Sequence, residues 1–314
     1  MVRIQVRWQR WLVRLAAYAA LAWLAVSGTV TWQLLRRAHV QRPEPIPEGY
    51  VSELQPLRLF ASDGVELGAW LRPGRPDLPA VVLVHGNGAS RSHLLGTQML
   101  MADKGLTTLS VTVRAHGDAG GEVNDIGWGA QHDVLAAVAW LRARNPAQKV
   151  VVFGQSLGAA AAIFAATHRG SGIAGLWLEC PYRDLDTAVR ARLAVYLPPP
   201  LRPLAWLGLR VWALALLPEF ARISPADRMA EVPADLPVVV LAGGEDALAP
   251  PAHAKAVLGN HRGELLVFPT GGHLSLRAAD EPKWQQAWAA FLGQVHLANR
   301  PGKGSADLGI EFGQ

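Results

Sequence analysis

The sequence predicts an α/β domain built on a doubly wound, mostly parallel sheet. Three observations predict it: strand-length apolar runs recur along the chain, helical stretches alternate with them, and glycine turns follow several of the runs. Continuous apolar runs of this kind suit parallel strands covered on both faces. Strand–helix alternation sustained over about 240 residues places the elements in one domain.

The first element stands apart from that pattern. Residues 15–35, LAAYAALAWLAVSGTVTWQLL, contain no charge. A helix of that length spans about 30 Å, the thickness of a bilayer core. Arg3, Arg7, Arg10 and Arg14 precede it, and Arg36, Arg37 and Arg42 follow it. Trp8, Trp11 and Trp32 sit near its ends, where indoles favour the headgroup region. Residues 1–14 therefore read as a basic N-terminal segment and 15–35 as a single transmembrane anchor. The arginine balance favours a cytoplasmic N-terminus and a body on the exported side, periplasmic or extracellular. A cleaved signal peptide competes, with Ala25-Val26-Ser27 as its cleavage site, but the apolar stretch continues well beyond that point. Residues 36–55 include the Pro-rich RPEPIPEGY and read as a linker holding the body off the membrane.

The body, residues 56–298, opens with a hairpin, 57–60 and 65–71, around the turn former Asp63-Gly64. Buried-strand runs follow at 80–85, 107–113, 150–154, 173–178, 238–242 and 265–268, with helical stretches at 90–104, 132–144, 157–167, 252–258 and 283–295. Residues 185–228 interrupt the alternation and read as an insertion. Residues 299–314 have turn formers and no apolar period, and read as a flexible tail.

Composition excludes several classes. Half of the 314 residues are hydrophobic and 18% are charged, which is not the balance of a disordered chain. The net charge of +5 invites a nucleic-acid partner. However, residues 1–42 hold seven of the 30 Lys and Arg and no acid, leaving 23 basic residues against 25 acidic ones beyond them, a net of −2. The folded body is not basic, so no nucleic acid is expected. The lone Cys180 excludes an internal disulfide and a CxxC metal or redox site.

The chemistry concentrates at strand ends. Gly154-Gln155-Ser156-Leu157-Gly158 lies between a strand and a helix. A nucleophile on so sharp a turn needs minimal side chains two residues to either side, because the backbones there nearly touch. Ser156 is a weak nucleophile without a base. His273, in PTGGHLS after the last strand run, is the candidate, ahead of His85, His116 and His253. Asp246 in VVVLAGGEDALAP would orient the imidazole, with the adjacent Glu245 not separated from it by spacing alone. His85-Gly86-Asn87-Gly88 follows the 80–85 strand, where glycines let backbone approach a carbonyl. The Asn87 and Leu157 N–H groups are the candidate oxyanion donors.

With these residues in place, the chain from about 56 to 297 resembles the α/β-hydrolase superfamily. HGNG, VRAHGDAGG (113–121), GQSLG and GGEDALAP resemble the single-pass membrane-anchored α/β-hydrolase-domain serine esterases. Gly88 stands where those relatives often have Ala, and Arg114 and Gly117 match their RxxG pattern. The resemblance implies hydrolysis of carboxylic esters or thioesters, acyl lipids included, with no cofactor and no metal. It also makes the apolar 185–228 insertion a lid over the nucleophile. The expected partners are a small-molecule ester or acyl substrate and the membrane; no oligomeric state is implied. The competing expectation is a non-catalytic lipid-binding or scaffold protein on the same fold.

Overall fold

The computed structural model describes residues 2–36 and 42–297, so the tail expected at 299–314 lies outside the described residues. The body is organised on eight strands: β1 (Gln55–Phe60), β2 (Glu66–Arg72), β3 (Ala80–Val84), β4 (Thr107–Val111), β5 (Val150–Gln155), β6 (Ile173–Glu179), β7 (Val238–Gly243) and β8 (Glu264–Phe268). Their spatial order is β1-β2-β4-β3-β5-β6-β7-β8. β1 pairs antiparallel with β2 and β2 with β4, and every later neighbour is parallel.

Alternating valines and leucines explain why the sheet is wound on both sides. Val82 and Val84 enter one core, while Val81 and Leu83 enter the other. The first core is closed by α3 (Ala130–Arg144), α4 (Leu157–Ala166) and α8 (Pro251–Leu258). The second is closed by α2 (Leu95–Asp103), α9 (Leu276–Ala279) and α10 (Glu281–Leu297). There, Phe153 and Trp177 meet Trp284, Trp288 and Phe291 with most rings edge-on or tilted, arrangements worth about 0.5–1.5 kcal/mol per pair beyond area burial.

The strand order places the site. β3 lies between β4 and β5, so successive connections leave it in opposite directions and open a crevice at the carboxyl ends of the strands. Val84 pairs with Gly154, which sends the loop beginning at His85 and the turn at Ser156 off the sheet side by side.

The insertion forms α5 (Leu185–Tyr196), α6 (Arg202–Leu216) and α7 (Pro225–Met229). Asp184 caps α5 by accepting from the Thr187 N–H at 2.7 Å, and Thr187 Oγ1 accepts from the Asp184 N–H in return. Leu185, Ala188, Leu217 and Ile223 then seat the insertion on Phe164 of α4 and on Tyr182.

The N-terminal helix, α1 (Val2–Leu34), starts earlier than the expected span. Its Arg10–Leu34 portion is long and apolar enough to cross a membrane, and little of it is buried within the protein. α1 crosses α6 closely. Trp212 Nε1 donates to the Leu24 carbonyl at 2.9 Å, and Trp23 Nε1 donates to the Leu204 carbonyl at 3.3 Å. A β-carbon at Gly208 would come within 2.6 Å of Ser27 Cβ, and one at Gly28 within 2.7 Å of the Trp212 ring. Small residues at both positions are what let the helices touch. α6 also presents Leu204, Leu207, Val211 and Leu214 outward.

Glu44, within the segment expected as a linker, is bonded to the body. Buried Arg91 binds Asp118 through both terminal nitrogens and also meets Glu44 Oε2 at 2.9 Å. Thr112 Oγ1 donates to the same Glu44 oxygen at 2.8 Å. A guanidinium facing two carboxylates draws the linker onto the sheet end, an attraction that linker composition does not reveal.

Candidate active site

Ser156 occupies the turn between β5 and α4 with φ 51° and ψ −107°, a left-handed φ that side-chain-bearing residues rarely adopt. Neighbouring glycines permit it. A β-carbon at Gly154 would lie 2.5 Å from the Gly158 carbonyl oxygen, and one at Gly158 would fall onto the Val84 carbonyl. The Ser156 N–H donates to the Glu179 carbonyl at 2.8 Å and the Ala160 N–H to the Ser156 carbonyl at 3.1 Å, which lock the turn. The N–H of Leu157, first in α4, has no preceding helical carbonyl to satisfy it.

β7 and β8 position the acid and the imidazole. Gly243 pairs with Phe268, so the two following loops leave the sheet together. His273 Nδ1 lies 2.7 Å from Asp246 Oδ2. The other carboxylate oxygen accepts from the Leu248 and Ala249 N–H groups, each at 2.8 Å. Burial pushes the Asp246 carboxyl upward, but the His273 hydrogen bond and the two amides outweigh it and hold it below its ordinary value. Asp246 is therefore ionised at neutral pH, His273 Nδ1 carries the shared proton, and Nε2 is left to accept another. The neighbouring Glu245 is exposed and makes no hydrogen bond to His273 among the described residues.

Ser156 and His273 are not hydrogen-bonded to each other among the described residues, yet their loops meet. Leu274, beside His273, has φ 62°. Its Cδ1 lies 3.2 Å, and Ser156 Cβ 3.5 Å, from the point a β-carbon on Gly86 would occupy. The imidazole loop and the serine turn thus converge over the glycine loop. Catalytic hydrogen bonds are often long before substrate arrives.

That glycine loop is held by two histidines. His85 Nε2 accepts from the Val113 N–H at 3.1 Å, so its Nδ1 donates to the Gly86 carbonyl at 2.8 Å. Complete burial drives its pKa down to about 3, assisted by nearby His116. His85 is a neutral strut. The Asn87 N–H makes no hydrogen bond among the described residues. The Asn87 side-chain oxygen accepts from Asn124 Nδ2 at 2.7 Å and meets His116 Nε2 at 3.3 Å. Sequence reasoning missed Asn124, which has no motif of its own.

It missed Cys180 as well. β6 lies between β5 and β7, so the residue after β6 falls between Ser156 and Asp246. Cys180 Sγ, an Asp246 oxygen and a His273 ring nitrogen lie within 4.8 Å of one another. These three donors do not suit a cation. Burial pushes the thiol well above its ordinary pKa, with Asp246 and Glu179 adding to the rise, while the carboxylate and imidazole are already bonded to each other.

A cavity of about 110 Å³ lies between α1, α5 and α6, with Thr31, Leu34, Asn87, Ala188, Leu209 and Leu217 among its walls. Asn87 belongs to the same loop as Gly86, which the Ser156 turn approaches.

A serine on a strained strand-to-helix turn, with an Asp–His pair after the last two strands of a mostly parallel sheet, defines the α/β-hydrolase class. Residues 81–284 match the alpha/beta hydrolase family, and the chain belongs to it. An uncharacterized Mycobacterium tuberculosis protein is 31% identical over 241 residues, covering 74% of this chain and 77% of that one. The alpha/beta hydrolase domain-containing protein WAV2 of Arabidopsis thaliana is 29% identical over 69% of this chain and 71% of its own length. Among solved structures, the Pyrococcus furiosus esterase Pf2001 superposes with a TM-score of 0.64 at 20% identity, covering 81% of this chain and 97% of that one.

Proposed function

We propose that this chain is a membrane-anchored serine hydrolase that cleaves carboxylic esters or thioesters with a hydrophobic acyl part. The 2.7 Å bond between Asp246 and His273, set at the strand ends beside Ser156, carries the reading. Ser156 Oγ attacks the carbonyl carbon while His273 Nε2 takes its proton. Asp246 holds the imidazole in the required tautomer and stabilises the imidazolium. The Asn87 and Leu157 N–H groups receive the developing oxyanion, and removing one such donor typically costs about 2.7–4 kcal/mol. His273 then protonates the leaving alcohol or thiol. Water, activated by the same imidazole, releases the acid and restores the serine.

The apolar cavity under α6 supports a hydrocarbon-bearing substrate, and the superposing Pyrococcus furiosus esterase supports ester cleavage. The exposed apolar length of α1 supports anchorage, and the four arginines before it support an exported body. Ser156→Ala is expected to abolish both p-nitrophenyl ester turnover and fluorophosphonate labelling. A wild-type chain that binds fatty acyl ligands but never takes the label is instead a scaffold on the same fold.

A further inference from the structure

Arg192 is a cation in the wrong place for a structural one. It sits on α5 as part of the wall of the apolar cavity that Asn87 also lines. Its only hydrogen bond among the described residues is from Nη1 to the Ala188 carbonyl at 3.2 Å, and it forms no ion pair there. The other charges lining the cavity are matched. Asp186 binds Arg210 through Oδ1 at 2.9 Å and Arg190, outside the cavity, through Oδ2 at 2.7 Å, and Trp206 Nε1 donates to Oδ1 as well. Asp246 attracts Arg192 through space without contacting it, and Tyr182, Tyr196 and His253 are further titratable neighbours. Burial already opposes the charge of Arg192, yet a guanidinium does not lose its proton in proteins. A half-buried cation on the wall of an apolar cavity, with no acid paired to it there, is placed to receive a ligand that brings one.

Resting on the serine-hydrolase reading, we infer that Arg192 selects esters carrying an anionic oxygen group, carboxylate or phosphate, on the portion that occupies this cavity. The apolar walls take the hydrocarbon, the Asn87 side meets the ester carbonyl, and the guanidinium fork receives two oxygens of the anion. The substrate class is then an anionic amphiphile rather than a neutral glyceride.

Two matched pairs test this on the full chain in detergent micelles. Mono-p-nitrophenyl suberate against p-nitrophenyl octanoate places a carboxylate on the acyl side. Decanoylglycerol phosphate against decanoylglycerol places a phosphate on the alcohol side. The charged member of at least one pair is expected to have a kcat/KM roughly tenfold or more above its neutral match, the range for a charge-assisted bond. Arg192→Gln is expected to remove that ratio and Arg192→Lys to restore part of it, with fluorophosphonate labelling reporting that Ser156 is still assembled. Decyl phosphate is also expected to protect wild-type Ser156 from the label at lower concentration than decanol, a readout that needs no variant. A labelled wild type that favours neither charged ester, a ratio that survives Arg192→Gln, or equal protection by decanol overturns this inference alone. A wild type that neither labels nor turns over any ester overturns the hydrolase reading and this inference with it.

Discussion

Asp246→Asn isolates the chemistry of the site because the backbone dictates how the new amide must sit. Oδ1 of Asp246 accepts two N–H groups, from Leu248 and Ala249. If the asparagine turned its NH₂ toward them, both donors would lose their acceptor, at about 1–3 kcal/mol for the buried Ala249 N–H alone. The amide oxygen must therefore stay on that side, leaving the NH₂ facing His273 Nδ1 across the 2.7 Å contact. The imidazole then has to accept at Nδ1 and carry its proton on Nε2, which points a donor at the serine it should deprotonate. This substitution in a Ser-His-Asp triad lowers kcat by about 10⁴-fold, or about 5.4 kcal/mol in the barrier. The assay is kcat and KM for a p-nitrophenyl ester, wild type against Asp246→Asn, with circular dichroism confirming the fold. Loss carried mainly by kcat is expected. A folded variant within about tenfold of wild-type kcat would show that Asp246 does not set the tautomer, and the mechanism would have to be abandoned.

Two further predictions concern the scaffold. His85 has a pKa of about 3 when folded against 6.5 otherwise, so below pH 6.5 the unfolded chain binds a proton that the folded chain refuses. Stability from this group is complete above pH 6.5 and is lost as pH falls toward 3, at about 1.4 kcal/mol per pH unit. Urea unfolding against pH should show a shallower slope for His85→Gln, and an identical slope would contradict the buried neutral strut. Gly208→Val drives a side chain into Ser27, an overpacking of about 1–3 kcal/mol that pushes α6 from α1. It should raise KM for long-acyl esters more than for short ones, and an equal rise would separate the helix crossing from the cavity.

Much of the fold and the candidate site was legible because it follows local rules. Valine runs mark the strands, and the Gly154–Gly158 spacing marks a turn that only tight backbones tolerate. Ser156 and His273 each sit after a strand with glycines beside them. Asp246 and Glu245 were not separable by spacing, since a buried, doubly bonded carboxylate and an exposed one differ only in how the loop folds. Cys180 was silent because a lone cysteine has no pattern, and only the β5-β6-β7 order carries it to the acid. The linker's attachment through Glu44 and Arg91 joins residues 47 positions apart, and the unmatched charge of Arg192 depends on which acids its neighbours engage. Such pairings are decided in three dimensions.

The crossing of α1 over α6 changes what release from the membrane would mean. Thr31 and Leu34 of the first helix are walls of the cavity, and a protease cutting behind Ser27 would leave them on a short stub without the turns that hold the helix against α6. The contact with α6 runs through Trp23, Leu24, Ser27 and Gly28, inside the apolar stretch itself. In a bilayer-spanning arrangement, α6 therefore dips below the headgroups, and its outward Leu204, Leu207, Val211 and Leu214 lie among acyl tails. Substrate would then reach the serine sideways out of the leaflet, so activity would follow surface concentration in the membrane rather than concentration in water.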